Sequence, residues 1–533
     1  MGRSHIKLPT RPWVPQWLGI TTVFIVLLPM VLLNGAYTGS TVEVSGTLGA
    51  LREDMTMAYY STAAGLAIGY PTVRKFRGFV TSKTILLSDL VLQVFLSSVC
   101  GFAKNMDIII ICSFFIGFLK AFVMFEIVTL IRPFFTPKNV RSEFYAWFYP
   151  LAFTGGQVSI ALTAQLAYYY QWQYMYYLVV ILLLVAIVFV LCFFRYLKRP
   201  IRLPLREVDW QSILLAASTM LLTICLFTYG RTLDWFASAR LRLFAVLIPI
   251  LSYLFWIRQR TNGGRFVNLD IFRSFKLRIG YVFLFCTLLL SSTGTLVNNY
   301  VTTVLRIDSV HANALYLGLV PGFAVGGFVC FWWFRWQRWR FRYLVAGSLG
   351  CFAVYLALIY FGISPESRYE NLFLPMFFRG VGMMQLFIAL AMLIVEGLPP
   401  QIISSNTFFM VGLRSSLSPA IAVSLFSNWI YHLQIKGMSV LSENMRMDNP
   451  VFIDRYNQSF ASAIASGHGF DEATLITNQS FYSILQQQSL LLGIKTIIGY
   501  MLLFAIVLTV ISAFSPFHKT IKVRTLKTGD DMV

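Results

Sequence analysis

Seven ionisable side chains interrupt otherwise apolar stretches of the sequence. The acids are Glu43, Asp89, Glu126 and Glu396, and the bases are Lys120, Arg379 and Arg414. These residues do not build a metal site or a nucleophile with its base. The five histidines (His5, His311, His432, His468 and His518) are dispersed, lie outside the apolar interiors and show no metal-ligand spacing. Neither a G-x-S-x-G elbow nor a phosphate-cradling Walker loop occurs. A histidine-box oxygenase is excluded, ATP-driven transport by this chain alone is disfavoured, and neither enzymatic activity nor a cofactor or metal is expected. The chemistry left to these seven residues is the handling of charge inside an apolar medium.

In hydrocarbon an ionised group costs several kcal/mol unless it is paired or faces water. Each of the seven therefore has two readings, a static interhelical pair or a station on a proton and solute route. Asp89 and Glu126 both sit about five residues from the inner surface, judged from the lengths of their apolar windows. They either share one cavity or bind the basic loop 74–83. Asp89, close in sequence to Arg74, Lys75 and Arg77, fits the static pair. Glu126 and Arg414, deeper or without a nearby loop partner, fit the route, as does Arg379. A carboxyl group in such a cavity can carry a proton, which makes Glu126, with Asp89 second, the candidate for coupling. Arg379 and Arg414 stay protonated at any relevant pH. With Lys120 and Glu43 they are candidates to line or gate a substrate cavity, attracting anionic or weakly acidic amphipathic molecules. Aromatic residues, 16% of the chain, would give that cavity an adaptable apolar wall.

The elements that must position these groups follow from composition. Of 533 residues 57% are hydrophobic and only 12% charged, against about 25% charged in soluble domains. Mean hydropathy is +0.69. Uninterrupted apolar windows exclude a porin-like barrel, whose strands alternate apolar and polar residues. The windows lie near 17–44, 56–73, 84–102, 108–131, 146–168, 174–194 and 211–228, then 241–257, 279–304, 315–334, 343–361, 373–396, 406–430 and 494–514. Each must be helical, because lipid cannot satisfy open backbone groups. An all-α polytopic membrane protein of fourteen spans is expected.

The net charge of +21 reads as membrane orientation. With the N-terminus inside, the inner segments hold 29 Lys and Arg and the outer loops ten, which places both termini in the cytoplasm. Two basic connections, 195–210 and 258–278, bracket spans seven and eight. The chain thus divides into a tail 1–16, a six-helix bundle 17–194, basic loops with a two-helix insert 195–278, a second bundle 279–514 and a tail 515–533. Alternating cations and rings over 335–342 fit lipid headgroups and not nucleic acid. The outer segment 431–493, with apolar positions around 460–464 and 475–485, reads as short amphipathic helices that cap the outer mouth or dock a partner. Its sequons at Asn457 and Asn478 decide nothing. The seven cysteines read as small packing residues.

Several local patterns resemble the fourteen-span branch of the major facilitator superfamily, the EmrB/QacA-type drug/proton antiporters, over nearly the whole chain. They are Asn268-Leu269-Asp270-Ile271-Phe272-Arg273 before span nine and Glu396-Gly397-Leu398-Pro399-Pro400 closing span twelve, with Arg414 fourteen residues on. Pro137-Lys138-Asn139-Val140-Arg141-Ser142 enters span five, and Tyr170-Gln171-Trp172 with Tyr176 enters span six. The resemblance implies a major-facilitator fold in the inner membrane, exchange of small amphipathic substrates for protons, and a periplasmic adaptor protein. It implies a conformational loop at Gly69, Arg74 and Arg77, where the family's aspartate is missing. It aligns Asn34 with a span-one aspartate at the substrate cavity. The proton-linked arginine of span four falls at Ser113, although Gly117 is kept, and the Gly-Pro signature of span five falls over 159–164 and is absent. These departures move any coupling to Glu126 or Asp89.

The expected function is proton-coupled export of amphipathic compounds by alternating access. Two alternatives stand beside it: an uncoupled carrier specific for a siderophore, lipid or metabolite, and a non-transporting membrane receptor or scaffold.

Overall fold

A computed structural model describes residues 8–76, 80–136, 140–196, 208–261, 266–336, 341–395, 398, 400–446 and 448–515. Of the groups named above, Arg77 and Glu396 lie outside the described residues, as do 337–340 of the cation–ring run and 137–139 of the span-five entry.

The described residues are almost entirely helical. The first group is α1 (Gln16–Thr38), α2 (Thr41–Leu48), α3 (Arg52–Phe76), α4 (Ser82–Phe102), α5 (Met106–Phe135), α6 (Arg141–Tyr169) and α7 (Gln173–Phe193). A pair follows, α8 (Trp210–Tyr229) and α9 (Ala239–Thr261). Then come α10 (Phe275–Ser292), α11 (Gly294–Asn299), α12 (Ser309–Ala314), α13 (Leu319–Trp336), α14 (Phe341–Gly362) and α15 (Phe373–Val395). The chain closes with α16 (Pro400–Gly412), α17 (Ser418–Ser442), α18 (Pro450–Ala465) and α19 (Phe470–Phe514). Among the described residues twelve helical stretches are long and apolar enough to cross a membrane. Helices α3 and α6 match them in length but not in apolarity. Both turn polar residues such as Thr62, Ser159 and Thr163 inward, where protein groups replace lipid as partners.

Two large apolar cores form, one from Val23 to Phe194 and one from Ile271 to Leu508. A third, smaller core joins α3, α8 and the α16–α17 region. A β-bridge, Thr10 to Phe194, ties the segment before α1 to the end of α7 and marks what we call the proximal side.

Close helix crossings hold the first group in register. An added Cβ on Gly65 or Gly69 of α3 would run into the α5 backbone at Phe114 or Phe118, and one on Gly117 of α5 would overlap the Thr62 carbonyl. Gly69 and the Arg74 backbone thus belong to α3, which continues through Pro71 to Phe76. The conformational loop expected there is helix up to Phe76, because glycine at the crossing keeps α3 packed on α5. A second crossing joins α1 and α6. Ser159 donates to the Leu32 carbonyl (2.6 Å) and accepts from the Gly35 N–H (3.1 Å), and Thr163 donates to the Gly35 carbonyl (2.9 Å).

Two boundaries differ from the sequence reading. Span one was expected to run to residue 44, yet α1 ends at Thr38 and Glu43 belongs to the separate α2. The segment 431–493 is largely the continuation of its flanking helices. Helix α17 runs on to Ser442, and α19 has 45 residues. At 1.5 Å per residue α19 spans roughly 68 Å, about twice the hydrocarbon thickness. Only α18 is a separate helix, seated on α19 through Phe452 and Tyr456, whose ring centroids lie 5.3 and 5.9 Å from that of Phe481.

Candidate functional site

Between the two cores lies a cavity of about 550 Å3. Its wall takes residues from α1, α3, α5, α6, α10, α15, α16 and α17. It reaches the proximal ends of α6, α15 and α16 at Arg141, Val395 and Ile403. At the distal side the two halves are bridged. Ser309 donates to Glu43 Oε1 (2.7 Å), and Asn313 donates to the Gly39 carbonyl (3.4 Å). Asp308, which caps α12, lies at the same closure. Desolvation pushes its carboxyl upward, but hydrogen bonds from the His311 side chain and N–H outweigh that and hold it below the usual range.

Arg414 is the centre of the cavity wall. It sits in a π-helical turn, Leu413–Leu417, between α16 and α17. Such turns widen the backbone by one residue and are frequent at functional sites. Its guanidinium carbon lies 5.5 Å from the Tyr149 ring, 5.6 Å from Phe153 and 5.5 Å from Phe387, and Phe153 and Phe387 stack at 5.3 Å. Among the described residues no carboxylate pairs with it. The rings attract the cation through their negative faces without neutralising it. Lys120 and Arg141 join Arg414 in the wall, and no described Asp or Glu does. Two buried polar atoms of wall residues, Asn406 Nδ2 and Gln157 Oε1, have no hydrogen-bond partner among the described residues.

The other sequence candidates lie elsewhere. Arg379, only 7% exposed, is not in the wall but behind it. It donates to the Ser291 carbonyl (2.7 Å), and its guanidinium occupies the space an added Cβ on Gly294 would need. That carbonyl belongs to the last turn of α10, where the break before α11 frees acceptors; a cation there caps the helix end. Glu126 is 3% exposed on α5, and it is its neighbours Met124, Phe125 and Val128 that reach the cavity. Asp89, 4% exposed, accepts from Gln93 (2.7 Å), and its Oδ1 has no partner among the described residues. Among the described residues it pairs with no cation; Arg77 and the Arg74 side chain of the expected basic partner lie outside them. Glu43 does not line the cavity; it forms the distal bridge. The backbone of Asn34 lies in α1, and its side chain falls outside the described residues. Of the proposed cavity residues, then, Arg414 and Lys120 come together and Arg379 and Glu43 do not.

Sequence reasoning did not single out Tyr149, Phe153, Phe387, Asn406 or Gln157. An asparagine and a glutamine within apolar windows were a readable signal; the rings, among many others, were not.

No family model matches the sequence. An Escherichia coli (strain K12) protein named "Probable multidrug resistance protein EmrY" is 24% identical over 249 residues, 44% of this chain and 47% of that protein. The match thus spans about half the length of that relative. Among solved structures, tetrameric PepTSo2 superposes with a TM-score of 0.55 at 13% identity, covering 94% of this chain and 98% of that one. A mutant form of the nucleoside transporter NupG superposes at 0.50 with 10% identity, covering 78% and 92%. The fold is therefore of the major-facilitator type.

Proposed function

We propose that the protein is a secondary transporter that exports amphipathic organic anions by alternating access around the central cavity, driven by proton entry. In this reading α3 and α6 count with the other twelve as spans, giving fourteen. Helices α8 and α9 are then a two-helix insert between bundles 17–194 and 279–514. The proximal side is the cytoplasm of a cell with an inner membrane, and the distal protrusion of α17–α19 is the face a periplasmic adaptor would meet. The name of the EmrY relative supports efflux as the direction.

One observation carries the substrate class: Arg414, a cation in the cavity wall, is held by three rings and pairs with no carboxylate among the described residues. A cavity of that sign favours carboxylates over ammonium compounds. Its aromatic surface takes the apolar body of the solute. Glu126 and Asp89 would carry the proton, and Lys120 would link Glu126 to the cavity. In proteoliposomes with an imposed pH gradient, Glu126→Gln or Asp89→Asn should lose gradient-driven uptake while keeping passive exchange of labelled substrate. Full gradient-driven transport in both variants would remove proton coupling through these acids.

A second reading, an uncoupled carrier, is favoured by the position of both acids off the cavity wall. Transport that persists unchanged after a protonophore collapses the gradient would select it.

A further inference from the structure

A second cavity, about 510 Å3, lies beside the first. It is bounded by α8 and α9 on one side and by α10, α16 and the π-helical turn on the other. Its floor is Met220, Phe408 and Gly412, and its mouth is Val282, 61% exposed on the lipid-facing surface of α10. Two of the wall's hydroxyls are already engaged: Thr219 donates to the Leu215 carbonyl (2.7 Å) and Tyr281 to Asn406 Oδ1 (2.6 Å). The third, Ser252, lies on the exposed face of α9. Val282 follows the start of α10 at Phe275 by seven residues, roughly 10 Å into the proximal leaflet.

One helix thickness separates this pocket from the central cavity. Leu413 faces the lateral pocket, while its neighbour Arg414 faces the cavity. The Tyr281–Asn406 hydrogen bond crosses the same partition, with Tyr281 in the lateral wall and Asn406 in the central one.

We infer that the lateral pocket binds the hydrocarbon tail of a single-chain anionic amphiphile drawn from the proximal leaflet, before its head reaches Arg414 across the Tyr281–Asn406 partition. The apolar wall selects a tail, since of its described hydroxyls Thr219 and Tyr281 are engaged and only Ser252, on the exposed face of α9, is left to meet a polar group. The membrane-facing mouth selects a solute already dissolved in lipid, and the cation beyond the partition selects an anionic head. This deepens the transport reading and rests on it for the onward step.

The test uses the full chain in lipid nanodiscs with a long-chain fatty acid carrying a diazirine in its tail. Crosslinks should map to α8, α9, α10 and 408–417 and be competed by unlabelled fatty acid. They should fall by about tenfold in Val282→Trp, which blocks the mouth at an exposed site, and in Met220→Trp, which fills the floor; several methylenes would lose their apolar wall. In proteoliposomes Val282→Trp should lose transport of a long-chain carboxylate and keep that of a short aromatic one. Labelling outside the pocket, or undiminished in both variants, overturns the site. Equal labelling by a two-chain phospholipid probe, uncompeted by fatty acid, overturns it in favour of a resident lipid. A wild-type protein that moves neither carboxylate overturns the transport reading alone, and the crosslinks then decide the site.

Discussion

At the residue scale, Arg414 and Arg379 show how one side chain in one kind of apolar window reaches two different ends. Both were legible as costly charges, since an arginine in an apolar window is conspicuous in any sequence. Their environments were not, because what satisfies each comes from distant helices. Arg379 meets the terminal carbonyl of broken α10, and Arg414 meets rings from α6 and α15. Arg414→Lys keeps the charge but replaces a planar cation by a compact, strongly hydrated one. A desolvated cation–ring contact is worth about 2 kcal/mol. Carboxylate affinity measured by calorimetry should thus drop by about tenfold or more in Arg414→Lys, with the melting temperature little changed. Arg379→Ala should act oppositely. It frees a buried carbonyl and empties the space beside Gly294, so the melting temperature should fall, by about 2 kcal/mol in equivalent stability, before any specific loss of affinity appears.

At the scale of elements, apolar windows located the helices well because hydrocarbon demands long apolar runs. They failed where the chain leaves hydrocarbon. Helices α17 and α19 continue well past their windows, since polar residues such as Gln486 and Gln487 end the lipid-facing stretch without ending the helix. The absent Gly-Pro signature at 159–164 also left no hint of what stands in its place. Ser159 and Thr163 instead tie their helix to the α1 backbone at Leu32 and Gly35. Ser159→Ala should cost about 0.5–1.5 kcal/mol per hydrogen bond lost to the Leu32 carbonyl and the Gly35 N–H; a thermal melt in detergent would read this as a lower midpoint. Gly117→Ala should be worse tolerated, because the added methyl meets the Thr62 backbone and not a side chain able to rotate away. Its expected cost is about 1–3 kcal/mol or more, visible as poor folded yield.

Over the whole molecule, the cavity reaches the proximal side, and the distal side is joined by α2 and α12. In the alternating-access reading the Glu43–Ser309 hydrogen bond would hold the distal side closed, and a conformational equilibrium shifts by the differential energy of such contacts. Glu43→Ala should raise the population of distally open molecules. Spin labels on α2 and α12 would report this as a longer or broader distance distribution. The reading as a whole, an exporter of anions, depends on the sign of the cavity wall. It is tested most directly by transport of a matched amphiphile pair, one apolar scaffold bearing either a carboxylate or an ammonium head, in proteoliposomes holding wild-type protein or Arg414→Ala. The account predicts that wild type moves the carboxylate and excludes the ammonium compound, and that Arg414→Ala loses the carboxylate. Equal transport of both heads by wild type, or an Arg414→Ala protein that moves the carboxylate at the wild-type rate, would contradict it.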